Sequence, residues 1–519
     1  MNTRKTRFSL WMGLALLPLP VVQTACSSDS STQVSVPPAD DASKYLAIGC
    51  TDSKDAVYQL PDGLSPYDAA RRGDVLRCSF VATYGAEQLG QAAKTLGYTG
   101  ELIKSGAMAW RFSYRTERIR RTDGTTPGGV TSATLFLPAK PRAAEGSLPL
   151  VVVARGSIGA AERCAPSRGD LLTPGDHLDD YRALVLPLVA AGWAVVAPDF
   201  PGYGYGETSG YMLAEDEAHG LLDATRAVGK MLKPGLLSDK VIIAGHSQGG
   251  HAALSAQAYA GSYGLQGKLA GVATMAPMWF TQLIWGGALS PVAGLTTAEN
   301  AYTLEYAMGY FYTHAENYDG PGQGTSMFQP DKRDKVVAIE TQDCLFEAAE
   351  HMPSLGSTPG DFFDPDFVKK VGLCGIAGAT SQACKAEPAA TWIERFKKDR
   401  PAIDPHGAPI LIWQGGEDTT ITPGFAMCAL ERLHADLANA PDATASLTFC
   451  VDPTARHSGF VNDPGVDLSA GITRRSMDWV DQWIAARTLG TEEPGACAGV
   501  EALTTDAGAP TCTVPPPNQ

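Results

Sequence analysis

Hydrophobic and polar positions follow two different patterns along this chain. Residues 105–138 predict antiparallel strands, "AWRFSYRTERIR" and "VTSATLFLP", joined through the turn-forming stretch "DGTTPGG". From residue 148 onward, short and nearly all-apolar runs such as "LPLVVVARG" alternate with stretches of helical spacing. Such runs are typical of strands that are covered on both faces.

The alternation predicts an α/β fold, with a mostly parallel sheet and helices on both faces. Strands are predicted at 148–156, 193–200, 240–245, 269–277, 408–416 and 445–451. Helices are predicted at 180–192, near 214–232 and 248–261, and at 424–437 and 468–488.

One long segment interrupts this rhythm. Residues 279–405 separate two consecutive predicted core strands and are rich in glycine, proline, aromatic and polar residues. A connection of this length should have its own structure, so we predict a cap inserted over the carboxyl edge of the sheet, where α/β proteins bind ligands. The alternative is a peripheral insertion. In both cases the core is predicted to consist of residues 46–278 and 406–490, on either side of this segment.

The N-terminal residues 1–26 predict an export signal. A basic start precedes an apolar stretch at 8–22 that two prolines interrupt, and Thr24-Ala25 stand before Cys26. This ending is similar to a bacterial lipoprotein signal, and it predicts surface or outer-membrane attachment through an acylated Cys26. The alternative is ordinary cleavage and release to the outside of the cell.

The segments at the two ends of the mature chain are predicted to lie outside the core. Residues 27–45 are rich in serine, aspartate and proline and are interpreted as a linker, and residues 491–519 as a disulfide-stapled tail.

The charge balance limits the classes of partner. Among 519 residues, 41 are Lys or Arg and 56 are Asp or Glu, which gives a formal net charge of −15. An acidic chain without a basic run after its first residues argues against nucleic acid as a partner. The sequence leaves the oligomeric state open.

The cysteine count predicts disulfides. Eleven cysteines are present, and ten remain when Cys26 is set aside, an even number that suits an exported protein. No compact Cys-x-x-Cys or Cys-x-x-His pair suggests a metal site. Spacing alone does not determine connectivity. Proximity along the chain and the need to fix particular elements favour Cys50–Cys78, Cys374–Cys384, Cys428–Cys450 and Cys497–Cys512, which leaves Cys164–Cys344 as a long-range tie.

The stretch "VIIAGHSQGGHAALSAQ" carries the candidate chemistry. Gly245 to Gly249 fit the pattern Gly-x-Ser-x-Gly between a predicted strand and a predicted helix. In that context the pattern predicts a sharp turn that exposes the hydroxyl of Ser247 as a nucleophile. The alternative is an incidental turn between a strand and a helix.

A serine nucleophile needs a base, and His457 is the predicted one. In this motif the chain order is serine, acid, histidine, and "VDPTARHSGFV" delivers His457 after the last predicted strand. The other downstream histidines fit less well, because they lie in the predicted cap, inside a helix or before a strand: His314, His351, His434 and His406. His246 and His251, which flank the serine, are expected to pack locally.

Asp418 is the predicted acid of the set. It follows the strand "ILIWQGG" in the loop where an acid is expected. Glu417 and Asp452 compete for this role, and Asp418 could instead cap the next helix.

The oxyanion of acyl transfer requires two backbone N–H donors. One should be the amide of Gln248, directly after the nucleophile. The other should come from the loop after the first parallel strand, where Gly156 permits close approach and Ser157 is the predicted donor.

Two loop motifs extend this picture. "RGSIGAAERCAPS" (155–167) and "DFPGYG" (199–204), together with the serine turn, resemble the secretory lipase family of α/β hydrolases known from fungi and actinobacteria. The resemblance covers roughly residues 105–488. It departs at Arg155, where many members have histidine.

The resemblance implies an α/β-hydrolase fold with Ser247 as nucleophile, Asp418 as acid, His457 as base, and Ser157 and Gln248 in the oxyanion hole. It also implies a cap at 279–405, and it favours the pairs Cys164–Cys344 and Cys428–Cys450.

The predicted function is therefore that of a secreted or surface-anchored serine ester hydrolase, a lipase or carboxylesterase, acting on ester or lipid substrates. No metal or cofactor is expected for this chemistry. A serine peptidase or acyltransferase of the same fold would share the three residues. A non-catalytic binding module is the remaining alternative.

Overall fold

The computed structural model describes residues 43–64, 67–143, 148–279, 281–289, 298–377, 381–461, 465–495 and 497. Its strands are β1 (Val75–Tyr84), β2 (Ala107–Glu117), β3 (Gly128–Pro138), β4 (Leu148–Ala154), β5 (Ala194–Pro198), β6 (Leu237–His246), β7 (Lys268–Met275), β8 (Ile410–Gly415) and β9 (Leu447–Asp452).

The first helices along the chain are α1 (Lys54–Val57), α2 (Ala86–Thr95), α3 (Asp179–Ala190), α4 (Ala214–Met231) and α5 (Gln248–Tyr263). Between β7 and β8 follow α6 (Thr281–Ala288), α7 (Ala298–Tyr318), α8 (Arg333–Gln342), α9 (Leu345–His351), α10 (Pro365–Phe367), α11 (Leu373–Ala377) and α12 (Ala389–Lys398). The last are α13 (Pro423–Ala438) and α14 (Ile472–Leu489).

The described strands form one sheet in the order β1-β2-β3-β5-β4-β6-β7-β8-β9. Strands β1, β2 and β3 pair antiparallel, and β3 also pairs antiparallel with β5. Every pairing from β5 through β4 to β9 is parallel. All parallel strands therefore end at the same edge.

Helices cover both faces of this sheet. All seven residues of β4 are buried, as expected for a strand with packing on each side. Helix α3 contacts α2 and α14, and α4 contacts α5, so the covering helices form two packed groups. The predicted α/β fold with a mostly parallel sheet is confirmed, and the core strands lie within a few residues of their predicted bounds.

The sequence pattern missed the first strand and the helix after it. Strand β1 pairs antiparallel with β2, and α2 follows directly. The residues of β1 are mostly half-buried, without the clean alternation that predicts a strand.

The chain between β7 and β8 is helical and holds an apolar cluster of its own. At its centre the ring of Phe311 meets Phe363, Phe367 and Trp392 edge-on, with centroids 5.6, 5.3 and 4.8 Å apart. Such edge-to-face packing suits aromatic rings. The segment predicted to be a cap therefore has helices and an apolar cluster of its own. The domain bounds stay a prediction.

The predicted export signal and linker, including Cys26, lie outside the described residues except for residues 43–45. The same holds for the predicted tail apart from residues 491–495 and Cys497. Among the described helices, none combines the length and apolar character that a bilayer crossing demands.

Three of the five predicted disulfides are present: Cys50–Cys78, Cys164–Cys344 and Cys374–Cys384. The predictions Cys428–Cys450 and Cys497–Cys512 are wrong, because Cys450 bonds to Cys497 and ties the chain after α14 back to β9. Cys512 itself lies outside the described residues. Pairing by closeness along the chain failed here because α14 returns the chain to the sheet.

We expect the Cys164–Cys344 bond to contribute more stability than Cys374–Cys384, because the two close loops of 180 and 10 residues. Loop-closure entropy assigns about 5 kcal/mol to the longer loop and about 3 kcal/mol to the shorter one. Urea unfolding of the two paired Cys→Ser variants measures the difference. A smaller loss for the long loop would contradict this account.

Candidate active site

Ser247 occupies a sharp turn between β6, which ends at His246, and α5, which begins at Gln248. Its backbone has φ 57° and ψ −117°, a strained conformation for a residue other than glycine. The flanking glycines make the turn feasible. A Cβ on Gly245 would lie 2.0 Å from the carbonyl oxygen of Gly249, and one on Gly249 would lie 2.0 Å from that of Ala154.

Three side chains from distant parts of the chain meet beside this turn. The Ser247 hydroxyl donates to Nε2 of His457 over 2.9 Å, and Nδ1–H of His457 donates to Oδ2 of Asp418 over 2.8 Å. Asp418 follows β8, and His457 follows β9. The geometry is that of a nucleophile, a base and an orienting acid.

Backbone groups hold Asp418 in place. Its Oδ1 accepts hydrogen bonds from the N–H groups of Thr420 at 2.9 Å and Ile421 at 2.7 Å. This leaves Oδ2 directed at His457.

The two competing acids are engaged elsewhere. Glu417 lies 3.5 Å from Arg456 at the surface, and Asp452 forms an ion pair with Arg475.

The environment of His457 favours its protonated form. Burial lowers the pKa of His457, but the charge of Asp418, its hydrogen bond and the charge of Asp180 outweigh burial and raise the pKa above its ordinary value of 6.5. The imidazolium that forms when the serine gives up its proton is thereby stabilised.

His246 packs beside His457 and forms a hydrogen bond to its backbone. Its Nε2–H donates to the backbone carbonyl of His457 over 2.8 Å. Burial, and secondly the nearby His457, lower the pKa of His246 to about 4, so this ring is neutral at ordinary pH. The structure therefore gives His246 a local packing role beside the base, as expected.

The other candidate histidines lie apart from Ser247. His314 is buried against Asp399 at 2.7 Å, and His351 pairs with Asp343 at 2.5 Å on the surface. His406 is exposed with Asp442 at 3.8 Å, and His434 is exposed on α13.

The two predicted oxyanion donors lie on adjoining segments. Strand β4 pairs with β6, with Ala154 opposite Gly245, and this brings the loop with Ser157 next to the start of α5. Among the described residues, the backbone N–H groups of Ser157 and Gln248 have no hydrogen-bond acceptor. Both are available to an incoming oxygen. The side-chain Oγ of Ser157 instead bonds to the hydroxyl of Tyr211 at 2.8 Å.

A cavity of about 720 Å³ opens onto Ser247, His457 and Ser157. Helix α7 contributes Tyr302, Thr303 and Tyr306 to its lining, so the segment between β7 and β8 forms part of the wall.

The remaining lining is mixed: Ile158, Tyr181, Leu345, Phe460 and Val466 are apolar or aromatic, and the polar or charged residues include Asp180, Glu417, Thr419, Thr420, Arg456 and Ser458.

One cluster of potential metal ligands lies near this cavity. The ligand atoms of Cys164, His177 and Cys344 lie within 4.8 Å of one another. The two sulfurs are bonded to each other, so the thiolates that a metal would need are absent. We assign no metal to this cluster.

Sequence reasoning missed several residues around the site. Glu217 accepts a hydrogen bond from the Gln248 side chain at 2.7 Å. Tyr211 contacts Ser157, and Asp180 lines the cavity. These residues belong to α3, to α4 and to the loop before α4. The sequence does place acidic residues in the first turns of α3 and α4, but that is common at helix N-termini and does not by itself indicate a site.

Comparisons with known proteins show the family and the fold. Residues 171–466, more than half of the chain, match the model of the alpha/beta hydrolase family. This range includes Ser247, Asp418 and His457. No curated protein sequence matches the chain.

Solved structures share the fold at low identity. Candida antarctica lipase A in its closed state is 16% identical with a TM-score of 0.58, covering 90% of this chain and 92% of its own. The rice cell wall degrading esterase LipA from Xanthomonas oryzae is 18% identical with a TM-score of 0.54, covering 80% and 97%. A putative hydrolase from Legionella pneumophila is 16% identical with a TM-score of 0.56, covering 79% and 98%.

We expect labelling of Ser247 by a fluorophosphonate to require neutral His457. Because the pKa of His457 is raised, the labelling rate should be low in acid and should rise with pH through a midpoint above 6.5. Asp418→Asn removes the strongest influence that raises this pKa, so its midpoint should move to lower pH and its plateau should fall by about 10³–10⁴.

Glu417→Gln, at the neighbouring position, is the matched control and should keep the wild-type midpoint. Stopped-flow or gel-based labelling across pH measures both. A wild-type midpoint at or below 6.5, or the same midpoint in Asp418→Asn, would contradict the assignment of the base and its acid.

Proposed function

Because the chain belongs to the alpha/beta hydrolase family, we propose that it is an exported serine ester hydrolase, a lipase or carboxylesterase, with Ser247 as its nucleophile. The observation that carries this proposal is the hydrogen-bonded series Ser247–His457–Asp418, with distances of 2.9 and 2.8 Å. A protein that only binds its ligand has no need of this arrangement.

In the proposed reaction Ser247 Oγ attacks the carbonyl carbon of the ester while Nε2 of His457 takes its proton. Asp418 orients the imidazole and stabilises its positive charge. The tetrahedral intermediate collapses as the imidazolium gives the proton to the departing alcohol oxygen, which leaves an acyl-enzyme. Water, deprotonated by His457, then attacks the acyl carbon and releases the carboxylic acid and Ser247.

The oxyanion of each intermediate would be bound by the backbone N–H groups of Ser157 and Gln248. Two features support these donors: neither N–H has an acceptor among the described residues, and both segments adjoin the nucleophile. Gln248 N–H also lies at the N-terminus of α5, where the helix dipole favours a negative charge.

Charged side chains break up the apolar lining of the cavity, and this favours short acyl groups over long ones. Among the described lining residues, apolar surface comes from Ile158, Leu345, Phe460, Val466 and the tyrosine rings, and the charged side chains of Asp180, Glu417 and Arg456 interrupt it. A long acyl chain gains binding energy only from apolar contacts. We therefore place carboxylesterase activity ahead of activity on long-chain lipids.

Export is supported by the disulfides, which are characteristic of proteins outside the reducing cytosol. The signal-like residues 1–26 point the same way, with attachment through an acylated Cys26 as the first proposal and free release as the second.

The direct test is Ser247→Ala assayed on p-nitrophenyl esters. We expect its kcat to fall by about 10⁵–10⁶, because the nucleophile is lost while binding remains. Ser262→Ala, at the other end of the same helix and exposed, should retain wild-type activity. Turnover by Ser247→Ala at more than a few per cent of the wild-type rate would contradict the proposal.

The same assay with wild-type protein tests the acyl preference. Below the concentration at which the esters aggregate, kcat/KM for the acetate or butyrate should exceed that for the palmitate by at least about tenfold. A preference for the long chain would contradict the proposed order. Fluorophosphonate labelling without turnover of any ester would favour a serine peptidase or acyltransferase.

A further inference from the structure

The two proposed oxyanion donors raise a question of spacing. The N–H groups of Ser157 and Gln248 belong to different segments, yet both must lie about 2.7–3.1 Å from one oxygen. The loop that carries Ser157 has no regular secondary structure from Arg155 to Ala161. Something other than a helix or strand must therefore hold this loop against α5.

Arg155 joins the two segments. Its Nη1 donates to the carbonyl oxygen of Gly156 in the loop and to the side-chain oxygen of Gln248 on α5, both at 2.9 Å. Both contacts are made by a single nitrogen, so they fix the loop relative to the helix. Arg155 is fully buried.

The guanidinium of Arg155 is itself held rigidly. Its Nη2 donates to the carbonyl oxygen of Asp199 over 3.2 Å. Its central carbon lies 4.6 Å from the ring centre of Phe200 and 4.3 Å from that of Tyr203. These rings attract the cation and restrict its movement.

Glu217 holds the other side of the same amide. The Nε2–H of Gln248 donates to Oε1 of Glu217 over 2.7 Å. The amide oxygen of Gln248 thus faces a cation, and its amide nitrogen faces a carboxylate. In the reversed orientation, the amide N–H groups would face the guanidinium donors and the amide oxygen would face the carboxylate. Gln248 is fully buried and has one favourable orientation.

Further contacts immobilise Glu217. Its Oε1 also accepts from the N–H of Met212 at 3.1 Å, and its Oε2 accepts from Nδ1–H of His251 at 2.8 Å. The other ring nitrogen of His251 donates to the carbonyl oxygen of Asp399 at 2.6 Å. Burial lowers the pKa of His251, but the hydrogen bond and charge of Glu217 raise it more, so the net shift favours the protonated ring.

We propose that Arg155 and Glu217 are positioning residues that grip the Gln248 side chain from opposite sides and thereby set the distance between the oxyanion N–H groups of Ser157 and Gln248. The inference rests on the proposed function. It assigns a purpose to Arg155, the position at which the chain departs from the family that it resembles. Burying charged side chains costs desolvation free energy and seldom adds net stability. A role in holding the geometry of the site accounts for this buried network.

Substitution of the Gln248 side chain isolates this role, because every variant retains the backbone N–H. Gln248→Met has a similar length and loses both hydrogen bonds. We expect kcat on a p-nitrophenyl ester to fall by about 10–100-fold, the effect of moving a donor by a fraction of an ångström, with KM within about twofold. The rate of Ser247 labelling by a fluorophosphonate should fall in parallel.

Gln257→Met is the matched control. Gln257 is equally buried on the same helix, and its amide makes the same kind of paired contacts, with the N–H and carbonyl oxygen of Asp404 at 2.9 and 2.8 Å. Both variants should lose stability in urea unfolding, but only Gln248→Met should lose kcat and labelling rate. Glu217→Gln, which preserves shape and removes the charge, provides a second variant if Gln248→Met fails to fold.

The labelling rate separates this inference from the proposed function, because the phosphonyl oxygen needs the oxyanion hole whatever the natural substrate is. Wild-type protein that is labelled but hydrolyses no ester would overturn the ester substrate and leave the labelling comparison intact. Folded Gln248→Met or Glu217→Gln with wild-type kcat and labelling rate would overturn the positioning role. An equal loss of kcat in Gln257→Met would also overturn it.

Discussion

The site depends on one constraint: the imidazole of His457 must reach Ser247 with one nitrogen and Asp418 with the other. A parallel sheet meets this constraint because its strands end at a common edge. His246 pairs with Met275, Met275 pairs with Trp413, and Trp413 pairs with Cys450. Residues that follow these strands are therefore brought together, although 210 positions separate Ser247 from His457 along the chain.

Ser247, the proposed nucleophile, adds a second requirement, because its backbone conformation is unfavourable by itself. Hydrogen bonds on both sides of Ser247 hold the turn: its N–H donates to the carbonyl oxygen of Met275 at 3.0 Å, and its own carbonyl accepts from His251 N–H at 3.1 Å. The sheet on one side and α5 on the other therefore balance the strain. The same turn starts α5 where Gln248 can face the loop with Ser157, so the positions of the proposed nucleophile and of one proposed oxyanion donor have a common origin.

The fold could largely be predicted from the sequence because each core strand is a short apolar run and each covering helix has a helical apolar face. Ser247, Asp418 and His457 followed from the order of loops after such strands, and the structure brings these three together. Strand β1 was missed because its half-buried residues do not alternate. The pairing of Cys450 with Cys497 and the contacts of Arg155 and Glu217 with Gln248 were missed because they depend on tertiary packing, of which spacing along the chain carries no trace.

In the proposed site an activated serine oxygen and two backbone N–H groups surround one reacting atom. A crystal structure of the chain after reaction with a fluorophosphonate tests this most directly. We expect phosphorus bonded to Ser247 Oγ, with the phosphonyl oxygen about 2.7–3.1 Å from the backbone nitrogens of Ser157 and Gln248. An adduct on another residue, or a phosphonyl oxygen directed away from both nitrogens, would contradict it.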